Sequence, residues 1–175
     1  MLIVSIARVG FVNNVTIIIR DGKDMDSLEL GFELHPQLAA DCVVLGDFPL
    51  CRLLLLNDAT YPWFLLVPRR EGATELYHLS GDDQRKLVHE SSFLAENLAD
   101  IFSAGKMNIA SLGNMVPQFH VHHIVRYETD PAWPAPVWGK TPPTPYTQEQ
   151  ILELGKRVTR LLENSGELNV APEFI

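Results

Sequence analysis

One long helical pattern lies between two groups of short apolar runs, and that order restricts the fold more than any other feature of the chain. Behind Ser80-Gly81-Asp82-Asp83, the residues Leu87, Leu94, Leu98, Ile101 and Phe102 recur at helical spacing, which predicts a long amphipathic helix. Ser80 stands where an N-cap is needed, with Asp83 three residues on, as in a capping box. Upstream, Leu50–Leu56 and Trp63–Val67 are apolar runs of strand length separated by Asn57-Asp58-Ala59-Thr60-Tyr61-Pro62, which predicts a hairpin of two buried strands. Downstream, Lys106–Ala110 and Phe119–Tyr127 are strand-like, with Gly113-Asn114 between them. Leu30–Ala40 reads as a loop entering a short helical or irregular segment, and Gly46-Asp47 as a turn. Strands, then a helix, then more strands predict an α+β domain on an antiparallel sheet of about five strands.

Six of the 12 prolines fall between Pro131 and Pro145, together with Trp133 and Trp138. Proline lacks the N–H that a helix interior or an inner strand requires, so residues 130–146 should run over the surface as an extended arm. Thr147 and Gln150 open a last amphipathic helix with Ile151, Leu154, Val158 and Leu161 on one face, followed by a tail to residue 175. Residues 1–24 stand apart from the domain expected over 25–146. Either Val15–Arg20 is a β-branched strand before an Asp21-Gly22 turn, or Met25 is the natural start. The apolar run at the N-terminus is broken by Arg8, Asn13, Asn14 and Thr16, short of the roughly 18 residues a membrane span needs, and it lacks the flanks of a signal peptide.

Charge narrows the partners. With 14 Lys+Arg against 22 Asp+Glu the formal net charge is −8, which leaves no basic excess to displace counterions from a nucleic acid. An anionic ligand must therefore be held by a local site. Cys42 and Cys51 form no CxxC motif, so a reduced, cytoplasmic protein is expected.

The chemistry concentrates in Asn108 to Arg126. In a strand alternate side chains share a face, so Gln118, His120, His122 and Ile124 point one way and Phe119, Val121, His123 and Val125 the other. His120 and His122 are therefore partners and His123 is not. A neutral imidazole can act as nucleophile or base, and a second one two residues along can bond the substrate or fix the first ring's tautomer. Gln118, Asn108 and the Gly113-Asn114 turn add neutral donors, a combination suited to a phosphoryl centre. On residue type alone two alternatives stay open: a pair of satisfied strand histidines, and a zinc site on His120 and His122, for which no third ligand stands at a motif spacing. Arg69, Arg70 and Arg126 read as solvated charges at strand ends, and Asp58 as a turn residue.

Val116-Pro117-Gln118-Phe119-His120-Val121-His122-His123-Ile124 resembles the signature of the histidine-triad (HIT) family. Gly113-Asn114 is similar to the Gly-Gln that precedes that signature, and Asn108 to the family's phosphate-contacting asparagine. Leu53–Arg69 resembles the family's earlier hairpin, where an aspartate contacts the nucleotide ribose, a position taken by Asp58. Tyr61-Pro62-Trp63 and the Asp130–Gly139 stretch resemble a bacterial branch of HIT-like hydrolases. The resemblance implies an α+β homodimer that acts at the α-phosphate of dinucleoside polyphosphates or nucleoside phosphoramidates through a nucleotidyl-histidine intermediate, with no metal or other cofactor. His120 then takes the nucleophile's place and His122 supports the phosphate or leaving group. Three departures stand out: Gln118 replaces the first histidine, the Ala59–Trp63 segment is short and carries Trp63 where a histidine would end the turn, and His123 occupies an apolar position. The first makes a non-catalytic nucleotide-binding module an alternative, beside a metal-dependent hydrolase on His120 and His122.

Overall fold

The computed structural model describes residues 9–12, 15–18 and 32–175. The chain divides into two compact units, residues 1–30 and 31–175. In the first, β1 (Val9–Val12) pairs antiparallel with β2 (Val15–Ile18), the described part of the expected strand Val15–Arg20. The expected Asp21-Gly22 turn and the junction at Met25 lie outside the described residues.

The second unit is α+β and holds a six-stranded antiparallel sheet. A short helix α1 (Pro36–Asp41) leads straight into β3 (Cys42–Asp47). Then follow β4 (Cys51–Leu56), β5 (Trp63–Pro68), the long α2 (Gly81–Phe102), β6 (Lys106–Ala110) and β7 (Val121–Arg126). Helix α3 (Gln148–Glu163) and the two-residue β8 (Asn169–Val170) follow, with a 3-10 turn at Pro172–Phe174. The strand order is β6-β7-β5-β4-β3-β8, so the hairpin β4–β5 and the histidine strand β7 occupy the centre.

Both long helices start where side chains can satisfy free amides. The Ser80 hydroxyl accepts from Asp83 N at 3.1 Å, and Thr147 and Gln150 form a reciprocal capping box. The apolar stripe of α2 (Leu87, Leu94, Leu98 and Ile101) packs on one sheet face with Leu53, Leu55, Phe64, Leu66, Val121 and Val125. From α3, Val158 and Leu162 join this core, whereas Leu161 is exposed. The opposite face carries Leu54, Trp63, Leu65, Val67 and Ile124, and is covered by Leu38 of α1 and by Ala132 and Val137 of the proline-rich arm.

Two expectations are corrected. Gly46-Asp47 is strand, not turn. Gly46 pairs with Val170, and a Cβ on it would stand 2.5 Å from the Asn169 carbonyl oxygen, so glycine is needed there for a close backbone approach. Its strand β3 and the two-residue β8 that pairs with it bring the antiparallel sheet to six strands. The three arginines are also not solvated. Arg70 donates to both oxygens of Asp83, Arg69 reaches Asp47 and the Phe48 and Pro49 carbonyls, and Arg126 is 1% exposed.

Candidate active site

β7 is the central strand of the site because its register against β5 fixes what each histidine meets. Leu65 lies opposite His122 and Trp63 opposite Ile124, which makes Trp63 and His122 diagonal neighbours on one face, within reach of an aromatic side chain. The Trp63 indole Nε1–H donates to His122 Nδ1 at 2.9 Å, with both residues buried. An indole can only donate, so His122 Nδ1 is unprotonated and its proton sits on Nε2. Trp138 of the arm packs edge-on against both rings, 5.5 Å from each centroid. Burial in this cage, with smaller contributions from His120 and His123, pushes the His122 pKa down to about 3.

His120 is set the other way round. Its Nδ1 lies 2.6 Å from the Gln118 carbonyl oxygen, which can only accept, so the neutral ring carries its proton on Nδ1 and keeps a lone pair on Nε2. The two imidazoles stand edge to face at 4.8 Å. Ser111 Oγ donates to the His120 carbonyl and Phe119 N to the Ala73 carbonyl, pinning the backbone just before β7. Sequence reasoning had no signal for Ser111, whose role depends on a loop partner.

His123 points to the other face, fully buried beneath α2, with Nε2 2.8 Å from Ser91 Oγ and Nδ1 3.2 Å from the Val121 carbonyl. Burial lowers its pKa to about 4. It is a core residue.

The remaining sequence candidates have defined partners. The Gln118 amide accepts from His35 N at 2.8 Å and donates to the Glu33 carbonyl at 2.9 Å, so its side chain clips the segment entering α1. Asn108 on β6 presents Oδ1 to Arg126 Nη1; a guanidinium only donates, so the amide's NH2 end is left as a donor. Asn114 lies in an exposed turn beside Gly113, whose φ is +69°. Asp58 is buried, and Oδ1 accepts from the main-chain N–H of Thr60 and of Thr144 in the arm, both at 3.0 Å. Asp58 also lines a cavity of about 360 Å³ with Asp41, Leu56, Asn57 and Pro143. The register Leu55↔Phe64 sets Leu56 next to Trp63, so this cavity opens along the same sheet face as the histidine pair.

A family model for the HIT domain matches residues 37–129, which span β3 to β7. The chain belongs to the HIT family. A histidine triad protein from Marinobacter aquaeolei has a similar structure, with 54% sequence identity and a TM-score of 0.74 over 76% of this chain and 97% of that one. A second, from Bradyrhizobium japonicum, is 42% identical with a TM-score of 0.72, covering 74% of this chain and 96% of that one. A hypothetical histidine triad nucleotide-binding protein from Sulfolobus tokodaii shares the fold at 17% identity and a TM-score of 0.56, over 70% of this chain and 85% of that one. No protein of curated function matches the chain. Membership of the HIT family points to nucleotide binding or to nucleotide hydrolase and transferase chemistry. Among the described residues, no helix is long and apolar enough to cross a membrane.

Proposed function

We propose that the protein is a nucleotide hydrolase or nucleotidyl transferase that acts at an α-phosphate through a nucleotidyl-His120 intermediate. The observation that carries this reading is the complementary tautomer pair. His120 offers a lone pair at Nε2 while the neighbouring His122 offers a proton donor at Nε2. Attack by Nε2 on phosphorus needs the first, and a non-bridging or leaving oxygen that gains charge needs the second. The free NH2 of Asn108 is a further neutral donor. With Asp58 on its wall, the cavity beside Leu56 is the place we assign to the nucleoside. A metal on His120 and His122 is disfavoured by the same bond that sets the tautomer, since His122 has one nitrogen committed to Trp63 and the other protonated. The reading includes Gln118 in the place of the first triad histidine, a cytoplasmic location and the homodimer implied by the family.

A panel of adenosine and guanosine phosphoramidates and dinucleoside polyphosphates, assayed with and without chelator, tests it. Turnover should survive chelator, vanish in His120→Ala, and leave a nucleotide adduct on His120 detectable by mass spectrometry after quenching. Binding without turnover or adduct across the panel would replace this reading with a nucleotide-binding module. Sedimentation showing only a monomer at assay concentration would remove the dimer.

A further inference from the structure

Nucleophilic displacement at phosphorus leaves open how the departing group is accommodated, and here the surroundings of His120 are specific. His122, the donor next to it, is locked by Trp63, whose indole N–H is not an acid in water and whose nitrogen has no lone pair to accept a proton. Gln118 is an amide, and both of its ends are occupied by the main chain of Glu33 and His35. Asn108 is a neutral amide. The buried Arg126 is paired with Asp130 at 2.7 Å and donates further to Asn108 Oδ1 and the Ala135 carbonyl. Among the described residues, the titratable rings bordering this strand include His35, whose Nδ1 accepts from Gln37 N at 3.2 Å as the cap of α1, and the buried phenol of Tyr61, packed edge-on against Trp63.

We propose that the site cleaves bonds whose leaving group departs as a stable oxyanion, of phosphate, sulfate or carboxylate type, and works poorly on amine or alkyl alcohol leaving groups. The inference rests on the hydrolase reading above and makes Trp63 a positioning residue. In the first step the His120 Nε2–P bond forms and the P–O bond breaks. The electron pair leaves on the oxygen, which takes a hydrogen bond but no proton from His122 Nε2–H. The Nδ1 proton of His120 stays on the ring, hydrogen-bonded to the Gln118 carbonyl, and the ring carries the positive charge until the adduct is hydrolysed. In the second step water adds its oxygen to phosphorus, the N–P pair returns to Nε2, and the water protons pass to solvent. An amine or alkoxide cannot leave at useful speed without a proton, and a positioned acid contributes about 10²–10⁴-fold where one exists. The burial that keeps His122 neutral acts in the same direction.

The test uses the full chain with substituted phenyl esters of adenosine 5′-phosphate graded in leaving-group acidity, alongside diadenosine tetraphosphate and adenosine phosphoramidate. The expected result is a steep fall of kcat/KM as the leaving phenol becomes less acidic, with the phosphoramidate at least about 10²-fold below the anhydride. A phosphoramidate turned over as fast as the anhydride overturns the inference and leaves the hydrolase reading standing. So does His35→Asn selectively abolishing phosphoramidate cleavage, since His35 would then be the acid. No turnover and no His120 adduct with any substrate would remove the hydrolase reading itself. Imidazole nitrogen NMR supplies a check that needs no substrate. The native protein should show His122 as the Nε2–H tautomer without titration from about pH 5 to 8, and Trp63→Phe, which keeps the ring but removes the donor, should release it. A His122 that carries its proton on Nδ1 in the native protein overturns the proposal.

Discussion

Arg126 and Asp130 form a bidentate ion pair, Nε to Oδ2 at 2.7 Å and Nη2 to Oδ1 at 3.0 Å, with side chains only 1% and 4% exposed. The guanidinium also donates to Asn108 Oδ1 and to the Ala135 carbonyl, and it lies over the Tyr61 and Trp133 rings. One side chain thus ties the histidine strand, the edge strand and the proline-rich arm together. Asp130→Asn should leave a buried guanidinium without its counter-charge, a loss of about 3–5 kcal/mol, while replacing both charges with apolar residues should recover much of it. Urea denaturation of Asp130→Asn and of the double variant measures the difference.

The arm is fastened at its other end by Asp58, which accepts from Thr60 N and Thr144 N. Asp58→Ala would leave two inward-facing amides unpaired, a loss of about 1–3 kcal/mol for each one that stays buried. Limited proteolysis should then cut faster within residues 139–146. Asn57→Ala, which frees only Tyr146 N, should show a smaller effect by the same assay.

Acid stability should follow His122 and His123. Both are held below the ordinary imidazole value of 6.5, to about 3 and about 4 respectively, chiefly by burial. The unfolded chain therefore binds protons that the folded chain refuses. Stability is fully present above pH 6.5 and falls as pH drops toward 4, with a slope approaching about 2.7 kcal/mol per pH unit for two protons. Glu90 works in the opposite direction above its ordinary 4.5, because burial raises its pKa. His123→Leu should remove one of the two protons and roughly halve the slope of stability against pH between 4 and 6.5, read from urea midpoints at each pH. An unchanged slope would show that His123 protonates in the folded state.

Gly46→Ala should push β8 off the sheet, since its Cβ would meet the Asn169 main chain rather than a movable side chain. The expected loss is about 1–3 kcal/mol. Hydrogen exchange at Val170, whose residue pairs with Gly46, should accelerate while the amides of β5 and β7 keep their protection.

Much of the frame was legible along the chain. The helix behind Ser80, the β4–β5 hairpin and the last helix behind Thr147 follow from short-range periodicity and caps, which need no distant partner. Gly46 was misread because glycine marks turns and close approaches alike, and Asn169, the residue that decides between them, lies far along the chain. Arg126 was misread for a similar reason. A charge after an apolar strand is ordinarily solvated, and only Asp130, Asn108 and the folded-back arm bury it.

The same division runs through the candidate site. Strand alternation, enforced by the backbone itself, was enough to put His120 and His122 on one face and His123 on the other. It could not say which nitrogen of either ring carries the proton. That is set by the group that reaches each Nδ1, a carbonyl two residues away for His120 and an indole 59 residues away for His122. The register between β5 and β7 brings the indole there, so the difference between a lone pair and a donor in adjacent histidines exists only in the folded sheet.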